Sequence, residues 1–288
     1  MKWRSKVSKM IETKGVVPAW LQAAEFLLTQ PSEEAVHLFV SIEHPTAISA
    51  EDKAVISLID RFLVDHGKQP IDTVADTIFP KSHYLKGGLT GVLEDYPKSM
   101  QRIYNEDADV RKHWPWGTYA MRMLRLPGAD AEPIDQLKAT LRKLAKTNMK
   151  SCFEISGGPS FVDTSAPENV AEVTTYSALE DRRKPMGLPC LSHLSFTRTK
   201  AFGQLHLNAT YRSHYYVERA LGNYIGLAGL LAFMAHESEH DCGSLALNST
   251  FAKLDTENFG GKGAVKDLLK RARSVYNGNE LSRELADA

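Results

Sequence analysis

Apolar side chains recur with two different periods along the first part of the chain. They repeat at helical spacing over residues 18–30 and alternate with polar ones over 35–45, which predicts a helix followed by a half-buried strand. Helical spacing returns over 51–67 and stops at Gly67, a residue that commonly ends helices. A further helix is predicted to begin at Pro133, since proline suits a first turn, with apolar residues from Ile134 to Leu144 on one face.

The second half of the chain has a different pattern. Turn-forming residues dominate 157–184, which we interpret as a loop or surface insertion. Alternating residues then predict two strands, beginning near Cys190 and Gln204 and joined by a turn at 200–203. A long apolar helix over about 218–236 and a strand over 243–255 complete the predicted order. Neither a repeat nor a linker is evident, so we expect a single α/β domain over residues 1–288.

Composition limits the classes of partner. The 288-residue chain carries 35 acidic and 35 basic residues, so no overall field attracts it to nucleic acid or to a membrane surface. Its longest uncharged apolar run, Tyr224 to Ala235, is far shorter than the roughly 20 residues of a membrane span. The basic N-terminus has no apolar signal core after it. We therefore expect a cytoplasmic protein.

The cysteines support a reducing compartment. Cys152, Cys190 and Cys242 form a sparse, odd set without metal-ligand spacing, which argues against a disulfide framework or a zinc site. Metal is therefore not expected.

Cys190 is the first candidate for chemistry, because it follows a proline at the start of a predicted strand. A lone cysteine is more often a buried filler than a nucleophile. The predicted hairpin can bring Arg212 and Ser213 beside the start of that strand, where an arginine would lower the pKa of the thiol or bind a phosphate. Spacing alone also allows Arg212 to be an exposed residue paired with Glu218.

Three segments in order resemble a known family. Pro189 and Cys190 lead into a strand, "QLHLNATYRS" follows a glycine turn, and "LGN" opens a long apolar helix. This order resembles the core of thymidylate synthases and the related pyrimidine-nucleotide hydroxymethylases. The resemblance extends over about residues 114–255, and residues 1–113 form a divergent N-terminal portion. It implies an α/β (α+β) fold with a large mixed β-sheet covered by helices, and a homodimer in which the sheets pack across a twofold axis.

The resemblance also implies roles for individual residues. Cys190 would be the catalytic nucleophile that adds to C6 of a pyrimidine, while Arg212 and Ser213 would hold the 5′-phosphate. Asn223 would read the base, and because some relatives that act on cytosine have aspartate there, it favours uracil. A helix N-cap is the structural alternative for Asn223.

Four further positions correspond less closely to the family pattern. Asp76 corresponds to the catalytic glutamate that orders water near the base, although it could equally be a polar residue of a helix turn. Lys150 corresponds to the basic residues that a partner subunit contributes to the phosphate site. Trp116, in "WPWGTY", lies where the family has a substrate-binding Tyr-Gly segment. Tyr215 replaces the carboxylate that contacts the pterin of the folate cofactor.

The implied activity is transfer of a one-carbon unit from 5,10-methylenetetrahydrofolate to C5 of a pyrimidine nucleoside monophosphate. Two departures from the family pattern affect the expected product and the expected sugar of the nucleotide. Lys253 and Asp255 stand where the family has its ribose contacts, and the C-terminus has no counterpart of the family's closing tail. Because that tail excludes water, its loss favours a hydroxymethyl over a methyl product.

Two other classes of function remain open. The fold could serve as a non-catalytic nucleotide-binding protein. Alternatively, "HESEH" fits the H-E-x-x-H pattern of zinc hydrolases, with His236, Glu237 and His240 as the reacting set.

Overall fold

The computed structural model describes residues 8–108, 117–126, 133–145, 170–175, 181, 188–199 and 203–278. The fold is mixed α/β, as expected, and is built on a seven-stranded sheet of order β1-β2-β7-β5-β4-β3, with β6 paired to β7. The strands are Lys9–Thr13 (β1), Glu34–Ile42 (β2), Val170–Thr174 (β3), Leu191–Arg198 (β4), Gln204–Tyr211 (β5), His214–Tyr215 (β6) and Asp241–Lys253 (β7). β1 and β2 run parallel, as do β6 and β7, whereas β2 with β7 and β3 with β4 are antiparallel.

The helices of the described residues are Val16–Leu28 (α1), Ala50–Asp65 (α2), Ile71–Asp76 (α3), Lys81–Thr90 (α4), Tyr96–Glu106 (α5), Tyr119–Leu124 (α6), Gln136–Leu144 (α7), Ala220–Glu237 (α8) and Gly261–Tyr276 (α9). The helices predicted over 18–30, 51–67 and 218–236 are thus confirmed as α1, α2 and α8. Gly67 has φ of 68°, a left-handed conformation that suits glycine and follows the end of α2. Among the described helices, none combines the length and the apolar character that a membrane crossing requires.

The chain folds into two compact units, each discontinuous in sequence. The first unit comprises Met1–Ala75, Tyr211–Ala228 and Ser244–Ala288, and the second comprises Asp76–Thr210 and Gly229–Gly243. The single domain over residues 1–288 stays a prediction.

The first unit has its core between α1 and the strands β1 and β2. The predicted apolar stripe of α1 is fully buried, and Trp20 on that stripe donates from Nε1 to the carbonyl of Tyr216 at 2.7 Å. Leu38, Val40 and Ile42 of β2 are buried, as the alternation predicts. Burial of one stripe and one strand face is what joins these elements.

Two elements differ from the prediction. The helix expected from Pro133 begins later, because Asp135 caps α7 by accepting a hydrogen bond from the backbone of Lys138, while Ile134 pairs with Leu126 in a short β-bridge. The expected loop over 157–184 is wrong at β3. That strand buries Ala171 and pairs with β4, although turn formers surround it in the sequence.

Candidate functional site

The predicted hairpin is confirmed as β4 and β5. The backbone N–H of Thr199 donates to the carbonyl of Gln204 at 2.9 Å, and that of Gly203 donates to the carbonyl of Thr199 at 3.1 Å. At the other end, Ser192 Oγ donates to the carbonyl of Thr210 at 3.0 Å. The last residues of β5 therefore lie beside the first residues of β4, as the hairpin requires.

Cys190 lies directly before β4, is half-buried and takes part in no disulfide. Its backbone N–H and that of Leu191 both donate to the phenol oxygen of Tyr119, at 3.2 and 3.3 Å. Tyr119 is itself nearly buried at the start of α6. One phenol oxygen therefore fixes the backbone that carries the thiol, while the residue keeps part of its surface exposed.

Asp76 is half-buried at the end of α3 and belongs to the same unit as Cys190. Burial raises the pKa of the Tyr96 phenol, and the charge of Asp76 raises it further. The Tyr96 hydroxyl is 2.6 Å from Thr118 Oγ1, and Thr118 caps α6 immediately before Tyr119. A polar neighbourhood thus extends from Asp76 towards the residue that holds Cys190. The water-ordering role of Asp76 stays a prediction.

Trp116 and Lys150, the other two substrate-binding candidates of this part of the chain, lie outside the described residues.

A buried ion pair supports the strands around Cys190, and the sequence analysis missed it. Arg122 of α6 binds Asp181 through two hydrogen bonds, Nη1 to Oδ2 at 2.5 Å and Nη2 to Oδ1 at 3.0 Å. Arg122 Nη1 also donates to the carbonyl of Thr175 at 3.0 Å, and the Thr175 hydroxyl donates to the carbonyl of Leu191. The pair thereby connects α6 to the first residue of β4.

The phosphate-binding candidates belong to the first unit. Arg212 is exposed and Ser213 half-buried in the turn between β5 and β6. Tyr215, the cofactor candidate, is 42% exposed in β6, where it pairs with Lys253 of β7. An exposed arginine after a strand end is compatible with phosphate binding and with a surface role.

Asn223 has a different environment, since it is only 4% exposed. It lies in the first turn of α8, where its backbone N–H donates to the carbonyl of Arg219 at 2.9 Å. The N-cap alternative is therefore wrong, because an N-cap residue precedes the helix. Its side-chain Nδ2 lies 3.1 Å from Nε2 of His214, a residue that the sequence analysis did not select.

His214 belongs to a chain of buried polar side chains. Its Nδ1 lies 3.0 Å from Ser249 Oγ, which lies 3.2 Å from the hydroxyl of Tyr216, which in turn lies 3.1 Å from that of Tyr224. Ser249 and both tyrosines are completely buried. The ring of Tyr211 stacks on His214 with centroids 4.0 Å apart and planes 5° apart.

Burial keeps the titratable groups of these hydrogen-bonded side chains uncharged. It lowers the pKa of His214 to about 3, so the imidazole is neutral at physiological pH. It raises the pKa of Tyr216 and, further, that of Tyr224. The imidazole and both phenols are therefore neutral at physiological pH.

Lys253 and Asp255, at the ribose-contact positions of the resembling family, have structural contacts here. Lys253 Nζ pairs with Glu257 at 2.7 Å. The Asp255 carboxylate accepts hydrogen bonds from the backbone of Val217 at 2.8 Å and Glu218 at 3.2 Å, in the turn before α8. Burial nevertheless raises the pKa of Asp255 to about 6. Its contacts favour a role in closing that turn.

"HESEH" forms the C-terminal cap of α8. The helix ends at Glu237, the backbone N–H of His240 donates to the carbonyl of Ala235, and that of Glu239 donates to the carbonyl of His236. Glu239 has φ of 58°, so this is a Schellman motif. His240 therefore lies outside the helix, whereas a zinc hydrolase of this pattern requires both histidines on successive turns of one helix.

The side chains of this cap have other partners. Glu237 accepts a hydrogen bond from the Tyr84 hydroxyl at 2.8 Å, and His240 Nδ1 lies 3.0 Å from Ser238 Oγ. In the part of the chain that the structure describes, no group of three or more His, Cys, Asp or Glu side chains could hold a metal ion. This geometry gives the zinc hydrolase hypothesis no support.

Comparison with known proteins adds no family assignment: no protein-family model matches the chain, and no curated protein is significantly similar to it.

Proposed function

We propose that this chain transfers a one-carbon unit to C5 of a pyrimidine nucleoside monophosphate, as the thymidylate synthases and nucleotide hydroxymethylases do. The observation that carries the proposal is the buried amide of Asn223, which a neutral histidine holds at 3.1 Å. A buried amide with a fixed orientation suits recognition of a nucleobase edge, because it offers one donor and one acceptor side by side.

Cys190 is the proposed nucleophile. Its thiolate forms a bond to C6, and the electron pair of the C5=C6 double bond moves to C5, with the charge shared by O4. C5 then bonds to the one-carbon unit and loses its proton, and the bond from that carbon to the folate nitrogen breaks, which leaves an exocyclic methylene on the nucleotide. Water adds to this methylene as the thiolate departs, and the C5=C6 double bond is restored. The hydrogen bonds to the Tyr119 oxygen support this role, because they fix the Cys190 backbone while the residue keeps part of its surface exposed.

Asn223 would act in binding and in catalysis. Its Oδ1 would accept from N3–H of uracil, and its Nδ2 would donate to O4, where negative charge develops during attack. Arg212 and Ser213 would hold the 5′-phosphate, for which an exposed guanidinium is well suited.

Methylenetetrahydrofolate would supply the carbon at the oxidation level of formaldehyde, so that addition of water yields a hydroxymethyl group without a reductant. Tyr215 meets part of what binding of the folate requires. Its half-exposed ring can stack on a flat heterocycle, but it lacks the charge with which a carboxylate fixes a pterin.

We also propose a homodimer formed through the sheet. In the first unit, Met10, Phe39 and Asn248 are neighbours in register on the face opposite to Val40 and its buried partners. Met10 is 60% exposed and Phe39 39% exposed. A second copy would cover the exposed side chains of Met10 and Phe39, and sedimentation should give the mass of two chains at micromolar concentration. A monomer would contradict the dimer.

Product analysis tests the proposed reaction. The chain is incubated with methylenetetrahydrofolate and, separately, with dUMP, UMP, dCMP and CMP, and the nucleotide products are analysed by mass spectrometry. We expect one nucleotide to gain the mass of a hydroxymethyl group. Binding of a nucleotide without any change in its mass would favour the non-catalytic alternative instead.

A further inference from the structure

We propose that a groove in the second unit, between α5 and the end of α6, binds a small organic phosphate: a molecule with a phosphate monoester at one end and an apolar part at the other. The groove has a volume of about 660 Å³. Small-molecule sites commonly have volumes of about 300–1,000 Å³. The inference does not depend on the proposed reaction, because Arg212, the phosphate ligand proposed there, belongs to the first unit.

One face of α5 and the last turn of α6 supply most of the lining. Lys98 and Arg102 lie one turn apart on α5, and Arg125 lines the same groove from the C-cap of α6. The apolar part of the lining comes from Pro97, Met121 and Pro133. Basic and apolar side chains therefore share one concave surface, as a ligand with two chemically different ends requires.

The basic residues of the groove outnumber its acidic ones. Of the described residues that line it, Lys98, Arg102 and Arg125 are basic and only Glu106 is acidic. Glu106 follows Arg102 by one helical turn, yet within the described residues no ion pair joins the two. Lys98 pairs with Glu94 at 3.5 Å, but the side chains are 68% and 60% exposed, so solvent screens this pair. Lys98 and Arg102, one turn apart, therefore repel each other.

Arg125 adds a third positive charge that is not neutralised. Across the described part of the chain it forms no ion pair, although its charge does act on the carboxylate of Asp135. Burial raises the pKa of Asp135, and the backbone of Lys138 and the charges of Lys138, Arg125 and Arg142 offset only part of that rise. Arg125 thus shares one carboxylate with two other cations. An anion in the groove would meet an excess of positive charge.

A phosphate monoester suits this set of cations best. The guanidinium groups of Arg102 and Arg125 present donors in a fixed fork that matches phosphate oxygens, and the ammonium of Lys98 adds a point charge. A phosphate monoester carries a charge of about −1.5 to −2 at neutral pH and has three acceptor oxygens, so one group can serve all three cations. The organic part of the ligand would then lie against Met121 and the two prolines.

Chemical modification of the unaltered chain locates the site. Phenyl phosphate is the probe, because it combines a phosphate monoester with an apolar ring. Phenylglyoxal, which reacts with exposed arginines, is applied with and without the probe, and the modified peptides are quantified by mass spectrometry. We expect phenyl phosphate to protect Arg102 and Arg125 but not Arg271, an exposed arginine of α9 that also has no ion pair in the described ranges. Unchanged modification of Arg102 and Arg125 would overturn the inference.

Calorimetry then measures what each arginine contributes. Because Arg212 is itself a candidate for phosphate binding, the measurements use the Arg212→Gln chain and add Arg102→Gln, Arg125→Gln or the matched control Arg271→Gln. We expect each of the two groove variants to weaken binding of phenyl phosphate by about tenfold or more, since each loses hydrogen bonds between charged groups. The control should bind as the Arg212→Gln chain does. Equal losses in all three variants would contradict the assignment.

Two further probes test the class of ligand. Inorganic phosphate lacks the apolar ring, and phthalate has the ring but carries two carboxylates in place of the phosphate. We expect both to bind the Arg212→Gln chain more weakly than phenyl phosphate does. Binding of phthalate as tight as that of phenyl phosphate would overturn the choice of a phosphate, and equally tight binding of inorganic phosphate would overturn the role of the apolar lining.

Discussion

In the second unit, the free energy of unfolding should be especially sensitive to substitution of the buried pair formed by Arg122 and Asp181. The two side chains are 4% and 0% exposed, and two hydrogen bonds join them. Asp181→Ala leaves the Arg122 guanidinium without its counterion, in a place where water reaches little of it. Breaking one side of such a pair destabilises proteins by about 3–5 kcal/mol, a large share of the roughly 5–15 kcal/mol that stabilises a typical domain.

A second ion pair joined by two hydrogen bonds provides the control. Arg273 and Glu25 also share two hydrogen bonds, at 2.9 and 2.7 Å, but their side chains are 30% and 37% exposed. Solvent screens such a pair, so Glu25→Ala should change the free energy of unfolding by less than about 1 kcal/mol. The two variants therefore separate the effect of burial from the effect of the number of hydrogen bonds.

Urea unfolding followed by circular dichroism measures both changes. We expect Asp181→Ala to lower the midpoint far more than Glu25→Ala, and the double replacement Arg122→Met with Asp181→Leu to recover most of the loss, because no charge is then buried alone. Equal losses for Asp181→Ala and Glu25→Ala would refute the reasoning.

Three further predictions follow from other parts of the molecule. Gly222→Ala would place a Cβ 2.7 Å from Val74 Cβ and should lower stability by about 1–3 kcal/mol in urea unfolding, whereas Gly263→Ala in α9, with no atom within 4 Å, should leave stability unchanged or raise it; equal effects would contradict this packing. His214 has a folded-state pKa of about 3 against an ordinary 6.5, so as pH falls through this range the unfolded chain binds a proton that the folded chain does not. The wild type should therefore lose stability relative to His214→Phe by on the order of 1 kcal/mol per pH unit, and a pH-independent difference would contradict a buried neutral imidazole. The nucleotide product should be hydroxymethylated, and formation of thymidylate with oxidation of the folate to dihydrofolate would contradict this choice.

Local patterns were sufficient to predict about half of the described helices and strands. Alternation predicted β2 and the β4–β5 hairpin, and helical spacing predicted α1, α2 and α8, because each of these elements buries one regular face. The pattern failed at β3, where the neighbouring turn formers hide a short strand whose stability comes from its pairing with β4. It also failed at Pro133, where pairing of Ile134 with Leu126 competes with the start of a helix.

The polar side chains that position the candidate residues were harder to predict. Periodicity cannot show that Tyr119 binds the backbone of Cys190, because the two residues are distant in sequence. Ser249 gave a weak signal, as a polar residue that alternation places on the same strand face as Leu245 and Leu247, whereas nothing in the sequence around His214 marked it. Arg122 gave a stronger one, since a charge flanked by buried positions in a short helix requires a buried partner.

Release of tritium from C5-labelled pyrimidine nucleotides tests the central claim most directly, because the proton leaves C5 only if the base is attacked at C6 and bonded at C5. With methylenetetrahydrofolate present, we expect the wild-type chain to release tritium and Cys190→Ala to release none while it still binds the nucleotide. Cys242→Ala, which alters the other half-buried cysteine of the described residues, should release tritium at the wild-type rate. Release at the wild-type rate by Cys190→Ala, or no release by the wild-type chain from any of the four nucleotides, would contradict the account.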